Sequence, residues 1–304
     1  LFTKKDGSLW GMGDNGWKQL GFAGANPQSP AQLLDGNVSK IACGWSTTMF
    51  LKKDGTVWGS GVNSSGQLGT GTSDMPTAFV QATSIGTEGA DIAISNVHSL
   101  VVKKDGSLWG SGQSQYGQLF TLPATGNLTH SSLVGSGVRS TSAGAEHSTY
   151  LKSDNTLWAV GSNQQGQLGN GTYNDLNASH LVSTGIVQVK SGSSTVLFLD
   201  ENGTLRGMGN NDIGQVGDGS STQRITSPVQ IATDVLRLEG TFNNAHAVDL
   251  NATANLEMIW VEPGSFTMGS PTSEPDRNSE ETEHNVTLTK GFYLGKYEVT
   301  QAQY

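Results

Sequence analysis

A chain of 304 residues with 41 glycines, a single cysteine and a formal charge of −9 excludes several classes at once. An acidic surface repels phosphate backbones, so nucleic acid is a poor partner. One cysteine closes no internal disulfide, and no stretch reaches the roughly 18 apolar residues that a membrane-spanning helix needs. Low charge with abundant Gly, Ser, Thr and Asn suits short strands and tight turns rather than disorder.

Along the chain one pattern recurs. Trp10, Trp58, Trp109 and Trp158 stand 48, 51 and 49 residues apart, and Arg206 takes the next slot. Each follows a two-residue turn: Asp6-Gly7, Asp54-Gly55, Asp105-Gly106, Asp154-Asn155 and Asn202-Gly203. Such dipeptides supply the positive φ of a tight hairpin. Short β-rich runs precede the hairpins, as in Ile41-Ala42-Cys43 and Met49-Phe50-Leu51, or Val187-Gln188-Val189 and Val196-Leu197-Phe198-Leu199.

After the tryptophan comes a glycine-punctuated loop, Asn63-Ser64-Ser65-Gly66-Gln67-Leu68-Gly69, repeated at Asn163–Gly169 and Asn211–Gly217. Lys18 replaces the first glycine in the first copy, and Phe120 the last in the third. A fourth short run follows, such as Phe79-Val80-Gln81 or Val229-Gln230-Ile231. Four short strands at a period in the forties or fifties, without a 3.6-residue apolar stripe, predict propeller blades. The expected fold is all-β, a β-propeller of four-stranded blades over residues 1–250.

The residues that carry this pattern are expected to be structural. Trp10, Trp58, Trp109 and Trp158 should be core rings between blades, and Gly66, Gly117, Gly166 and Gly214 should hold loop conformations other residues resist. Trp17 and Trp45 fall outside the register and are the better candidates for exposed contacts, though packing is favoured there too. His98, His147 and His246 share a repeat slot and should hydrogen-bond backbone between strands. No catalytic, cofactor-binding or metal residue is expected. The acidic run Glu274, Asp276, Glu280, Glu281 and Glu283 lacks a calcium-loop spacing and reads as a solvated loop.

The pattern Gly-x-x-His-Ser/Thr, Asp-Gly-x-Leu-Trp and Asn-x-x-Gly-Gln-Leu-Gly resembles the regulator of chromosome condensation repeat. That resemblance implies a seven-bladed propeller, with the five visible copies as part of it; a closed five-bladed ring is the alternative. Both ends of the chain read as cut.

From Leu256 the repeat stops, and 251–257 reads as a linker. Residues 258–304 contain Pro263-Gly264-Ser265-Phe266-Thr267-Met268-Gly269-Ser270, His284-Asn285-Val286-Thr287-Leu288 and Phe292-Tyr293-Leu294-Gly295-Lys296-Tyr297-Glu298-Val299-Thr300. Three such blocks in order are similar to the start of the formylglycine-generating enzyme (sulfatase-modifying factor) domain, here an incomplete α+β segment. Members that oxidise a substrate cysteine use a late cysteine pair with copper, and others use histidine-bound iron. The tail holds no cysteine, Cys43 lying in a propeller strand, and only one histidine, His284, so this stretch is expected to be non-catalytic and to carry no cofactor.

The function expected is a binding and scaffold module fused to a formylglycine-generating-enzyme-like domain. A protein partner would be held through the propeller loops, with no nucleic acid and no membrane insertion, in a bacterial protein that is secreted or in the cell envelope. The alternatives are a docking arm for a true sulfatase-modifying oxidase and a guanine-nucleotide exchange factor. Residues 1–256 carry 14 basic and 18 acidic residues, close to −4, which disfavours chromatin.

Overall fold

The computed structural model describes residues 1–24, 28–120 and 127–238, and the strand segments 248–249, 258–261, 264–268, 284–288 and 292–295. Each Asp-Gly-type turn closes a hairpin, and each hairpin sits at the centre of one antiparallel sheet. The first sheet has three strands, β1 (Phe2–Thr3), β2 (Leu9–Gly13) and β3 (Gln28–Asp35). Four four-stranded sheets follow in chain order. They are β4 (Val38–Cys43), β5 (Thr47–Lys52), β6 (Val57–Gly61) and β7 (Val80–Gln81); then β8 (Gly89–Ile94), β9 (His98–Lys103), β10 (Leu108–Gly112) and β11 (Leu128–Gly135). Next come β12 (Val138–Ala143), β13 (His147–Lys152), β14 (Leu157–Gly161) and β15 (Leu176–Ser183), then β16 (Ile186–Ser191), β17 (Thr195–Asp200), β18 (Leu205–Asn210) and β19 (Arg224–Ala232). Sequence neighbours pair throughout these five sheets, so each is a simple meander.

Consecutive sheets are stapled by backbone. The carbonyls of Gly7, Gly55, Gly106, Asn155 and Gly203, all turn residues, accept from the N–H of Val38, Gly89, Val138, Ile186 and Val235, each at 2.9 Å. The first four donors open the next sheet, and Val235 lies two residues before β20 (Arg237–Leu238). The fifth staple therefore carries the repeat past the five copies read from sequence. Beyond Val235, β20 (Arg237–Leu238) pairs with β21 (Val248–Asp249), and the Leu238 N–H donates to Gln188 Oε1 at 2.6 Å.

The apolar core lies between sheets rather than within one layer. One cluster joins Leu51 and Val57 to Ile92 and Val101; another joins Leu100 and Leu108 to Val138 and Tyr150. The last joins Leu197, Leu199 and Leu205 to Val235 and Leu238. The inner strands β4, β8, β12 and β16 line one shared cavity, or channel, of about 480 Å³.

Residues 1–250 form one compact unit and 251–304 a second. In the second, β22 (Met258–Val261) pairs with β25 (Phe292–Gly295) and β23 (Gly264–Met268) with β24 (His284–Leu288), a nested antiparallel arrangement. The expected linker 251–257, the acidic run and any helical part of this segment lie outside the described residues.

Candidate functional site

Strand direction alternates, so each blade has two ends. The Asp-Gly hairpins occupy one. The other carries the turns after the inner strands and the Asn-x-x-Gly loops.

At the hairpin end the repeated tryptophans take part in a relay. The Asp54 Oδ1 carboxylate accepts from the Thr56 hydroxyl at 2.7 Å, and the Thr56 oxygen accepts from the Trp58 indole N–H at 2.9 Å. Asp6–Ser8–Trp10, Asp105–Ser107–Trp109 and Asp154–Thr156–Trp158 repeat it. Lys4, Lys52, Lys103 and Lys152 place their ammonium groups 3.6, 4.7, 3.9 and 4.4 Å from the four ring centroids. The rings are half-buried under these lysines. Trp58, Trp109 and Trp158 pack against the apolar clusters between blades, and with the lysine over each ring all four tryptophans are half-buried rather than fully enclosed. Side-chain and backbone hydrogen bonds from Ser or Thr hold the four aspartates below the usual carboxylate range.

At the loop end the conserved-looking polar residues are internal clamps. Asn63 Oδ1 accepts from Leu68 N–H at 3.0 Å, and Gln67 Oε1 from Ser65 N–H at 3.0 Å. Asn163 with Gln167, and Asn211 with Gln215, repeat the pair. Gly66, Gly117, Gly166 and Gly214 have φ of 77°, 80°, 82° and 76°. At Gly117 a Cβ would also lie 2.5 Å from the Asn177 Cα of the next blade, so close approach adds to the requirement. Lys18 and Phe120, the substitutions in this loop, still adopt φ of 62° and 63°.

The channel offers no catalytic pairing. Asp91 is buried and saturated: Oδ1 takes the Ile92 N–H and the Lys40 ammonium, and Oδ2 takes the Thr141 N–H at 3.0 Å. It is a clasp across three blades. Cys43 lines the same cavity, and desolvation pushes its thiol above the ordinary value. Deeper, His98 Nδ1 meets the Ser95 hydroxyl and Nε2 the Ser148 hydroxyl, both at 2.9 Å. This superficially resembles a nucleophile and base. However, His98 is fully buried, and desolvation with the neighbouring His147 depresses it to about 3, so it is a poor base without access.

The histidine slot thus departs from expectation. His98 bonds hydroxyls through its ring, not backbone, and neither ring nitrogen of His147 has a partner among the described residues. In the His147 copy Gly144 stands where Ser95 stood, and Val196 where Ser148 stood. A Cβ at residue 144 would lie 1.9 Å from the His147 ring, which fills that space. Burial alone lowers His147 to about 4. His246 lies outside the described residues. No cluster of three metal-ligating side chains occurs among the described residues.

Serial antiparallel meanders whose inner strands share one cavity define a β-propeller-type repeat domain. The chain carries Regulator of chromosome condensation (RCC1) repeats, matched at residues 6–51, 38–67, 138–167 and 186–215, and a Sulfatase-modifying factor enzyme 1-like domain, matched at 244–304. Among solved structures, human WBSCR16 is similar at 20% identity and a TM-score of 0.69, over 76% of this chain and 64% of that one. The chain thus spans just under two-thirds of that relative's length. Yeast RCC1 (Prp20) bound to Kap60 is similar at 16% identity and a TM-score of 0.53, over 80% of this chain and 76% of that one. Prp20p from Saccharomyces cerevisiae is similar at 16% and 0.51, over 79% and 77%. These likenesses concern the fold. No curated protein matches the chain in sequence.

The copper chemistry implied by the formylglycine-generating resemblance does not fit the residues present. It needs a cysteine pair, and the chain's one cysteine, Cys43, lies on β4 of the propeller. No reaction step through that metal follows from these residues.

Proposed function

We propose that the propeller is a protein-binding arm, holding a polypeptide partner on its loop end for the sulfatase-modifying-factor-like segment that follows it. One observation carries the reading. Residues common to the blades are consumed in staples, relays and clamps, whereas the side chains left exposed at the loop end differ from blade to blade. The position two after the clamping Asn, which is Ser114 in the third copy, is Trp17, Ser65, Tyr116, Gln165 and Ile213 in turn; Trp17 and Ile213 are 53% and 87% exposed, and the other three are half-buried. A rigid scaffold that presents variable loops is the usual arrangement of a recognition surface. The yeast RCC1 relative was solved with a bound protein, Kap60, which suits this reading.

The test is retention of a partner by the immobilised full chain. A partner should be held by the protein and by the hairpin-end variant Lys104→Glu, and lost on Ile213→Asp and on Tyr173→Asp, a residue 51% exposed in the loop between β14 and β15. A chain that retains no protein, or a partner sensitive only to the hairpin end, overturns it.

A further inference from the structure

Beside the channel, on the loop end of the first three blades, lies a second cavity of about 480 Å³. Trp17, Trp45 and Met75 form its apolar surface, 53%, 81% and 43% exposed. Its polar lining includes Ser64, Ser73 and Asn96, and among the described residues no lining side chain carries a charge. The indoles come from different blades: Trp17 from the loop after β2, Trp45 from the turn between β4 and β5.

The walls are pre-set. Asn96 Oδ1 accepts the Trp45 backbone N–H at 2.7 Å, while the Asn96 carbonyl accepts from Gln67 Nε2 at 2.8 Å. Gln19 Oε1 accepts the Trp17 N–H at 3.0 Å. Buried Asn63 donates through Nδ2 to the carbonyls of Thr72 and Asp74, each at 3.0 Å, which pins the segment bearing Ser73 and Met75. Turns whose backbone is already tied down lose little further backbone freedom when a ligand arrives.

We propose that this cleft binds a neutral glycan. Sugar rings offer flat C–H faces to indoles and hydroxyls at their rims. Serine hydroxyls and an Asn amide both donate and accept, as sugar hydroxyls do. A charged ligand would lose hydration in a lining with nothing to pair it. It would also approach a chain of net charge −9, which disfavours uronic and sulfated sugars. A proline-rich peptide stacks on indoles too, but its imide groups supply only carbonyl acceptors, so the serine oxygens would find no donors. Strand addition is not open, because the cleft is walled by turns and loops and its one strand residue, Thr47, lies on β5, paired on both sides. The volume falls in the range of small-ligand sites, roughly 300–1,000 Å³. This site goes beyond the protein-binding reading and stands whether or not that holds.

The full chain should be titrated with cellohexaose, chitohexaose and mannohexaose, followed by tryptophan fluorescence and calorimetry, with a heparin hexasaccharide and decaproline as controls. At least one neutral oligosaccharide should bind saturably. Trp45→Ala and Trp17→Ala should each weaken it by about tenfold or more. Since both side chains are mostly exposed, the melting temperature should hold. No binding by any neutral probe, binding indifferent to Trp45→Ala, or a preference for decaproline or heparin would each overturn the proposal.

Discussion

The fifth repeat shows what the tryptophan slot requires. Where four copies place Lys near Trp, the fifth places Asp200 near Arg206, joined at 2.7 Å. Desolvation raises Asp200, but hydrogen bonds from Thr204 and Arg206 outweigh it and keep the carboxyl below its usual range. Both positions changed together, so a cation-over-ring contact became an ion pair. Asp200→Lys alone should set two cations together and lower stability by about 1 kcal/mol; Asp200→Lys with Arg206→Trp should recover most of it. Urea denaturation of the single and double variants checks this. The same scale explains Lys18, which holds a left-handed φ that favours glycine. Lys18→Gly should stabilise by about 0.5–1 kcal/mol, the relief of strain exceeding the added chain entropy.

At the scale of the element, the turn chemistry was legible because it is local. Asp-Gly dipeptides and Asn-x-x-Gly loops depend on neighbours within seven residues, and the hairpins stand where those residues put them. The half-burial of the tryptophans was not legible, since it depends on a lysine six residues upstream lying over the ring. Nor were the staples, which use backbone that leaves no mark on side-chain identity. Trp17 and Trp45 stood out by breaking the register, but Met75 and Asn96, which complete their cleft, carry no pattern of their own.

The histidines at the blade junction were placed by the repeat, yet the His98 Nε2 partner, Ser148, comes from the next blade, 50 residues away. That geometry gives stability a pH dependence. Both His98 and His147 are neutral in the fold, depressed from 6.5 to about 3 and about 4. Their contribution is therefore complete above pH 6.5 and lost as pH falls toward those values, because the unfolded chain takes up protons first. Between pH 7 and pH 5 unfolding free energy should fall by about 2–4 kcal/mol. His147→Thr, the residue type of the slot in the second and fifth blades, should remove about half of that slope. Equal slopes in the two proteins would show the protons bind elsewhere.

For the whole molecule, the core is a chain of interfaces, so each blade's stability depends on the next. Asp91 makes this concrete in the channel: Asp91→Ala would leave the Thr141 N–H and the Lys40 ammonium without their acceptor. The loss should be about 2 kcal/mol, less than for a fully enclosed pair because Lys40 remains part-exposed. At the other end of the series, Val235 and Leu238 are each 3% exposed and cover Leu197, Leu199 and Leu205 of the fifth blade. If the opening of the sixth unit is an integral part of the propeller, Leu238→Asp must bury an unpaired carboxylate there or uncover that blade. Either course should cost about 3 kcal/mol or more. Amide exchange should then speed up first in β17 and β18, with β5 and β6 retaining protection. Unchanged exchange in β17 and β18 would mean that the fifth blade is self-sufficient, and the serial dependence of blades would end there.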